Sequence, residues 1–151
     1  MNKEQQIRNN TEPIKLFLVD DDPLFLKALE IEFTEHADFS IKTYPTGELC
    51  LLDIGQHPDV IILDYHLDGI EKNAMNGLET LDKIKAFNPD IPVIMLSSQD
   101  KIDVAISCMH HRAFDYVVKS ETSFIRLKKI ITTIFTYKKM EKELKWYMER
   151  M

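Results

Sequence analysis

Five short apolar runs, separated by segments with helical spacing, constrain the fold of this chain most strongly. The runs are rich in Val, Ile, Leu and Phe, and they are KLFLV (15–19), FSIKTY (39–44), DVIIL (59–63), PVIML (92–96) and FDYVV (114–118). Near-continuous apolar strands that alternate with helices are typical of a parallel sheet covered on both faces. We therefore predict five parallel strands, with helices at 23–36, 46–54, 77–87, 101–111 and from 121 onward.

Capping residues predict where several helices begin or end. Asp22 followed by Pro23 fits an N-cap and a first helical residue, and Thr46 fits a second N-cap. Gly55 fits the residue that follows the end of a helix. These signals place helix starts immediately after the first strand and shortly after the second.

The composition bounds the class of protein. The chain has 151 residues, of which 44% are hydrophobic, so it can bury one good core. Its net charge of -6 argues against direct binding of nucleic acid or anionic lipid. No apolar run is long enough to span a bilayer and the N-terminus lacks a signal-like segment, so we expect a cytoplasmic protein without membrane insertion. Cys50 and Cys108 have no metal-site spacing, and we expect reduced, structural thiols.

The chain divides into three segments. Residues 1–12 are polar and are predicted to be a disordered N-terminal lead, residues 13–136 to be one globular domain, and residues 137–151 to be a C-terminal helical extension. Apolar residues recur in the last helix at Ile130, Ile134, Tyr137, Leu144, Met148 and Met151. Three interpretations stay open: a helix packed on its own domain, a dimerising helix, or a linker toward another domain.

Polar residues follow four of the predicted strands directly. Asp20 and Asp21 follow the first strand, Asp64 the third, Ser97 the fourth and Lys119 the fifth. Parallel strands end at one edge of their sheet, so these side chains are expected to converge there. Clustered carboxylates need a hard cation such as Mg²⁺, and the hydroxyl and the ammonium suit phosphoryl oxygens. The sequence therefore predicts phosphoryl transfer to or from a carboxylate.

The motifs FLVDDD, VIILD, VIMLSS and FDYVVKS, in this order, resemble the receiver domain of two-component response regulators over roughly residues 14–136. The resemblance implies a doubly wound, flavodoxin-like α/β fold with strand order 2-1-3-4-5, helices on both faces and an extended C-terminal helix. It also implies that the protein takes a phosphoryl group from a phosphohistidine donor and relays the signal by conformational switching.

The resemblance assigns the acidic residues. Asp64 would be the phosphoacceptor, and it would share the Mg²⁺ ion with Asp20, Asp21 and the backbone carbonyl of His66. Outside this aspartyl phosphorylation and the matching dephosphorylation, which the domain assists itself, no enzyme activity is implied.

The remaining site residues are assigned in the same way. Ser97 and Lys119 would contact the phosphoryl group, and Tyr116 would be the switch aromatic. His66 and Gln99 occupy positions that modulate the loss of the phosphoryl group. The implied partner in this phosphorelay is a sensor histidine kinase or a histidine phosphotransfer protein. A second copy of the chain, forming a homodimer, is a further candidate partner.

Two segments depart from the family pattern. The loop DYHLDGIEKNAMNGLE after the third strand is enlarged and places Asp68 where the family has proline. Its extra charges are expected to be a solvated surface or to touch the site or a partner. Lys119 is followed by Ser120 instead of proline, and without proline a cis bond costs about 3 kcal/mol more. A cis peptide at this point is therefore not assumed.

Two other functions remain open at this stage. A phosphatase of the haloacid dehalogenase type also uses a nucleophilic Asp after a strand and Mg²⁺, but it has a second Asp two residues later, where this chain has His66. A pseudo-receiver would bind partners without phosphorylation. The intact acidic pair, acceptor, hydroxyl and lysine count against it.

Overall fold

The five predicted strands form one parallel sheet in the computed structural model, which describes residues 12–36, 38–69, 72–98 and 100–151. The strands are β1 (Ile14–Val19), β2 (Phe39–Tyr44), β3 (Val60–Asp64), β4 (Val93–Ser97) and β5 (Asp115–Val118). Their order is β2-β1-β3-β4-β5. This is the predicted strand order, which is therefore confirmed. Each strand also lies within one or two residues of its predicted position.

Among the described residues, five α-helices connect and follow these strands. They are α1 (Pro23–Thr34), α2 (Gly47–Leu52), α3 (Gly77–Phe87), α4 (Ile102–His110) and α5 (Ser123–Met148), with a short 3-10 helix at Ile54–Gln56. The predicted lead at 1–12 lies almost entirely outside the described residues. None of the described helices combines the length and the apolar character needed to cross a bilayer.

Side chains from alternate strand positions build two cores, one on each face of the sheet. Phe17 belongs to the core that includes Leu81 and Ile84 of α3, whereas its neighbour Leu16 belongs to the core that includes Phe33 of α1 and Leu127 of α5. This alternation follows from the two-residue period of a strand. It confirms the prediction of helices on both faces.

Two predicted caps are present and one predicted helix end is wrong. The Asp22 carboxylate accepts the N–H groups of Leu24 and Phe25 at 3.0 and 3.3 Å, and the Thr46 side chain likewise caps α2. Gly55, in contrast, lies inside the 3-10 helix, and the left-handed backbone falls at His57, with φ 58°. The tighter helical turn after α2 moves the reversal two residues along the chain.

The two cysteines are free and fully buried, as predicted. Burial raises the pKa of the Cys50 thiol to about 12 and that of the Cys108 thiol to about 11. Both thiols therefore stay protonated at neutral pH, which suits packing rather than chemistry.

The last helix continues without a break past Tyr137, as predicted. Its 26 residues give a length of about 39 Å at 1.5 Å per residue. Leu127, Ile131 and Ile134 are buried, but from Tyr137 onward most large apolar side chains are exposed. Only the first half of α5 thus contributes to the core of the described chain.

Candidate active site

The carboxyl edge of the sheet brings the predicted polar residues together. Val19 pairs with Leu63, so Asp20 and Asp64 leave neighbouring strands at the same level. On the other side of β3, the N–H of Lys119 donates to the carbonyl of Ser97 at 2.8 Å. Short strands in register thus place residues that are far apart in sequence on one edge.

Three carboxylates form a compact acidic cluster at this edge. One oxygen from each of Asp20, Asp21 and Asp64 lies within 4.8 Å of the other two. Asp20 and Asp64 are each only 2% exposed, whereas Asp21 is half-buried. Carboxylates this close, with one side open to solvent, match the oxygen-rich geometry of a magnesium site that retains water ligands.

Lys119 lies between the two buried acids. Its Nζ atom is 2.7 Å from Asp20 Oδ2 and 3.5 Å from Asp64 Oδ1. The same ammonium lies 4.5 Å from the centre of the Phe25 ring, which supplies a cation–π contact from the first turn of α1. The single positive charge of Lys119 therefore faces two buried carboxylates. When both carboxylates are ionised, Lys119 balances only one of their two negative charges.

The electrostatics of the pair follow from burial. Burial and the neighbouring charge of Asp20 raise the pKa of Asp64 to about 7, although Lys119 and the N–H of His66 act in the opposite direction. Burial also raises the pKa of Asp20. Burial lowers the pKa of Lys119, but the contacts with both acids outweigh it and leave the pKa above its ordinary value. The residues present fit a hard divalent cation, because it would relieve this repulsion.

The other predicted residues lie close to this cluster, with one exception. The N–H of His66 donates to Asp64 Oδ1 at 3.3 Å, Ser97 ends β4 fully buried, and Tyr116 is half-buried in β5, where it pairs with Met95. Gln99 lies outside the described residues.

The enlarged loop reaches the cluster through a backbone N–H; contact with the site was one of the alternatives that its extra charges left open. The N–H of Gly69 donates to Asp21 Oδ2 at 3.1 Å, and the N–H of Met75 donates to Glu48 Oε1 at 2.9 Å. Asp68 and Lys72 are exposed. Sequence reasoning missed Phe25. The unusual loop length and the position of Phe25 in the first turn after the acids were the only available signals.

Serine side chains close the turn after Lys119. The N–H of Ser120 donates to Ser123 Oγ at 2.7 Å, and the Ser123 hydroxyl donates to the carbonyl of Ser120 at 2.9 Å. The peptide between Lys119 and Ser120 is trans. The chain thus fixes the backbone beside its lysine with hydrogen bonds at the position where the family has proline.

The comparisons with known proteins agree with this geometry. A model of the response regulator receiver domain matches residues 16–132. The chain belongs to this family. It is therefore a phosphoacceptor domain of two-component signalling, a role that follows from the family, and the match favours this reading over the haloacid dehalogenase alternative.

Similar curated proteins are longer than this chain. The nitrogen assimilation regulatory protein NtrX of Azorhizobium caulinodans is 31% identical over 105 residues, which are 69% of this chain and 22% of that protein. The protein-glutamate methylesterase/protein-glutamine glutaminase of Bacillus licheniformis is 39% identical over 111 residues, 70% of this chain and 29% of that protein. The receiver domain therefore occurs in enzymes as well as in regulators.

Solved structures show the same fold. The BeF3-activated DrrB receiver domain is 28% identical, with a TM-score of 0.67, and the match covers 80% of this chain and 98% of that one. The receiver domain of NtrX from Brucella abortus is 25% identical, with a TM-score of 0.70, covering 79% and 96%. Both matches span nearly the whole of the compared receiver domains.

Proposed function

We propose that Asp64 is the phosphoacceptor of this receiver domain. The observation that carries the proposal is the position of Lys119 Nζ, 3.5 Å from Asp64 Oδ1, in a cluster with two further carboxylates. A carboxylate oxygen of Asp64 attacks the phosphorus in line as the bond from phosphorus to the donor nitrogen breaks. The product is an acyl phosphate on Asp64, and the nitrogen keeps the electron pair of the broken bond.

The neighbouring residues have separate tasks in this proposal. Asp20, Asp21, Asp64 and the carbonyl of His66 would hold Mg²⁺, which supplies charge neutralisation at the phosphoryl oxygens when bound. Lys119 exchanges its contact with Asp20 for a phosphoryl oxygen.

The hydroxyl of Ser97 donates a hydrogen bond to another phosphoryl oxygen. Tyr116 lies in β5, the strand that pairs with β4, and it changes conformation when Ser97 moves toward the phosphoryl group. His66 and Gln99 modulate how long the phosphoryl group persists.

The test of the acceptor is labelling by acetyl phosphate with Mg²⁺, followed by intact-mass measurement. Wild type is expected to gain one phosphoryl group and Asp64→Asn none. Asp68→Asn is the matched control, because Asp68 is an exposed acid of the adjacent loop. Equal labelling of wild type and Asp64→Asn would place the acceptor elsewhere.

We propose a sensor histidine kinase or a histidine phosphotransfer protein as the donor, because receiver domains generally take their phosphoryl group from such kinases. The domain acts in stoichiometric signalling rather than as an enzyme on another substrate. Continuous hydrolysis of p-nitrophenyl phosphate by wild type, absent in Asp64→Asn, would contradict this. At most one phosphoryl group bound to each chain is the expected result.

The C-terminal helix supports a further proposal, that two copies of the chain associate through it. Large apolar residues recur at alternating spacings of three and four and are all more than half exposed, namely Tyr137, Met140, Leu144, Tyr147 and Met151. This spacing is typical of a coiled-coil seam. An exposed stripe of this kind otherwise faces water, which is unfavourable. The division into a receiver domain at 13–136 and an extension at 137–151 is part of the same proposal.

Light scattering tests association on the full chain and on a truncation after Lys139, each with and without beryllofluoride. A dimer is expected for the full chain, at least with beryllofluoride. Leu144→Glu serves as the matched single-site variant and is expected to be monomeric. If the full chain and the truncated chain are both monomeric, with and without beryllofluoride, the proposal is contradicted.

A further inference from the structure

We propose that the backbone N–H of Gly69 positions the Asp21 carboxylate for the cation, so that the enlarged loop after β3 sets the affinity of the site for Mg²⁺. The inference rests on the metal site of the proposed function. It makes Gly69 a positioning residue, since it touches the ligand and not the ion.

Each carboxylate of the cluster accepts one backbone N–H. Asp20 Oδ1 accepts from Asp22 at 2.9 Å, and Asp64 Oδ1 accepts from His66 at 3.3 Å. Both donors lie two residues from their acceptor. These two bonds are therefore built into the turns that follow β1 and β3 and form with them.

The bond to Asp21 is different because its donor is remote in sequence. Gly69 lies 48 residues from Asp21, and its N–H donates to Oδ2 at 3.1 Å. Asp21 is also the most exposed of the three acids, so its side chain has the most freedom to rotate away. The orientation of this carboxylate thus depends on how the loop is held.

The loop is held at both ends. On one side Leu67 is 1% exposed and belongs to the core. On the other side the N–H of Met75 donates to Glu48 of α2 at 2.9 Å, and the N–H of Gly77 donates to the carbonyl of Tyr65 at 3.0 Å. These contacts anchor the described residues on either side of Gly69, with Leu67 before it and Met75 after it.

The space at Gly69 allows the role of its N–H to be separated from the role of its small size. A Cβ atom there would meet only the end of the Asp21 side chain, at 3.1 Å from Oδ2, and the backbone is not left-handed. Alanine therefore fits after a small shift and keeps the N–H, whereas proline removes the donor.

Hydrogen bonds to metal-binding side chains have a known effect. Removing such a partner commonly weakens metal affinity by about 10- to 100-fold, because the ligand loses its orientation. By linkage, if the hydrogen bond from Gly69 to Asp21 favours Mg²⁺ binding, bound Mg²⁺ favours that hydrogen bond by the same factor. The loop and the cation are thus expected to stabilise each other.

Calorimetric titration of Mg²⁺ into wild type, Gly69→Ala and Gly69→Pro tests the inference. Wild type and Gly69→Ala are expected to bind within about threefold of each other, and Gly69→Pro about tenfold more weakly or worse. Equal affinities in all three overturn the inference. So does equal weakening in both variants, because loop shape would then be the cause. A wild type that binds no Mg²⁺ refutes the proposed metal site itself, and the inference with it.

Hydrogen exchange on the unmodified chain gives an independent test, since Gly69→Pro can disturb the loop. The amide of Gly69 is expected to be protected without metal and more strongly protected with Mg²⁺. The amide of Gly55, which precedes β3 at the opposite edge of the sheet, is the control and is expected not to respond. An unprotected Gly69 amide that Mg²⁺ leaves unchanged overturns the inference.

Discussion

Replacing Asp64 by asparagine is expected to stabilise the metal-free protein at neutral and alkaline pH, although it removes the proposed phosphoacceptor. Asp64 is 2% exposed and lies beside the buried Asp20, with Lys119 shared between them. Ionising both acids without a metal places two negative charges in a buried site. Asp64→Asn keeps the size of the side chain and removes one of these charges.

The magnitude and its sign follow from the pKa of Asp64. The value of about 7 lies about 3 pH units above the ordinary 3.8, and each unit corresponds to about 1.4 kcal/mol. A raised carboxyl pKa means that the native state binds more protons between these two values, so stability falls as pH rises through this window. The full cost of about 4 kcal/mol is present above the native pKa and is absent near pH 4.

The expected gain in Asp64→Asn is somewhat smaller, about 2 to 4 kcal/mol near pH 8, because the variant also loses its contact with Lys119. For a chain of this length that corresponds to a rise in Tm of roughly 4 to 16 °C. Near pH 4 the two proteins are expected to melt together. Saturating Mg²⁺ also removes the difference, since the cation neutralises the same charge in wild type.

Thermal unfolding of both proteins tests this at pH 4 and at pH 8, each with a chelator and with Mg²⁺. Asp38→Asn is the control for net charge, because Asp38 is exposed and precedes β2 at the opposite edge of the sheet. Its melting curve is expected to follow wild type at every pH. A gain in Asp64→Asn that is equal at pH 4 and pH 8, or that is largest at pH 4, would refute the reasoning.

Three further results are expected. Mg²⁺ at 100 times its Kd is expected to stabilise wild type by about 2.7 kcal/mol, and Asp21→Ala to lose this response, in a thermal shift assay. Lys119→Met leaves Asp20 and Asp64 without their cation and is expected to destabilise the metal-free chain by about 3 to 5 kcal/mol at pH 8, measured by urea unfolding; an unchanged midpoint contradicts the pairing. Lys85 is buried and donates to the carbonyls of Pro89 and Ile91 at 3.2 and 2.6 Å, so Lys85→Met is expected to cost about 1 to 3 kcal/mol without affecting labelling of Asp64.

The sheet could be predicted from the sequence because its determinants are local. Each strand is a nearly continuous apolar run, and helices with recognisable caps at Asp22 and Thr46 separate the first strands. The convergence of Asp20, Asp64 and Lys119 followed from topology alone, since parallel strands end at one edge. Burial and distances were not needed for that step.

Contacts made through space could not be predicted in this way. Nothing in the local sequence shows that Gly69 meets Asp21, or that the Phe25 ring lies under Lys119, because both contacts depend on how a loop and a helix fold over the edge. The error at Gly55 has a similar origin. A glycine is only a statistical mark of a helix end, and here the 3-10 turn carries the chain to His57 before it reverses.

The position of Lys119 connects the chemistry of the site to the last helix. In the proposed function, phosphorylation would add negative charge at Asp64 and would draw the ammonium from Asp20 toward the phosphoryl group. Lys119 directly follows β5, and the hydrogen-bonded turn of Ser120 and Ser123, which begins α5, comes next. A shift of this lysine is therefore expected to act on the start of a helix whose far half is exposed. If that coupling holds, beryllofluoride changes the association of the full chain and leaves the truncated chain monomeric. If the full chain associates equally with and without beryllofluoride, the state of the site does not affect the C-terminal helix.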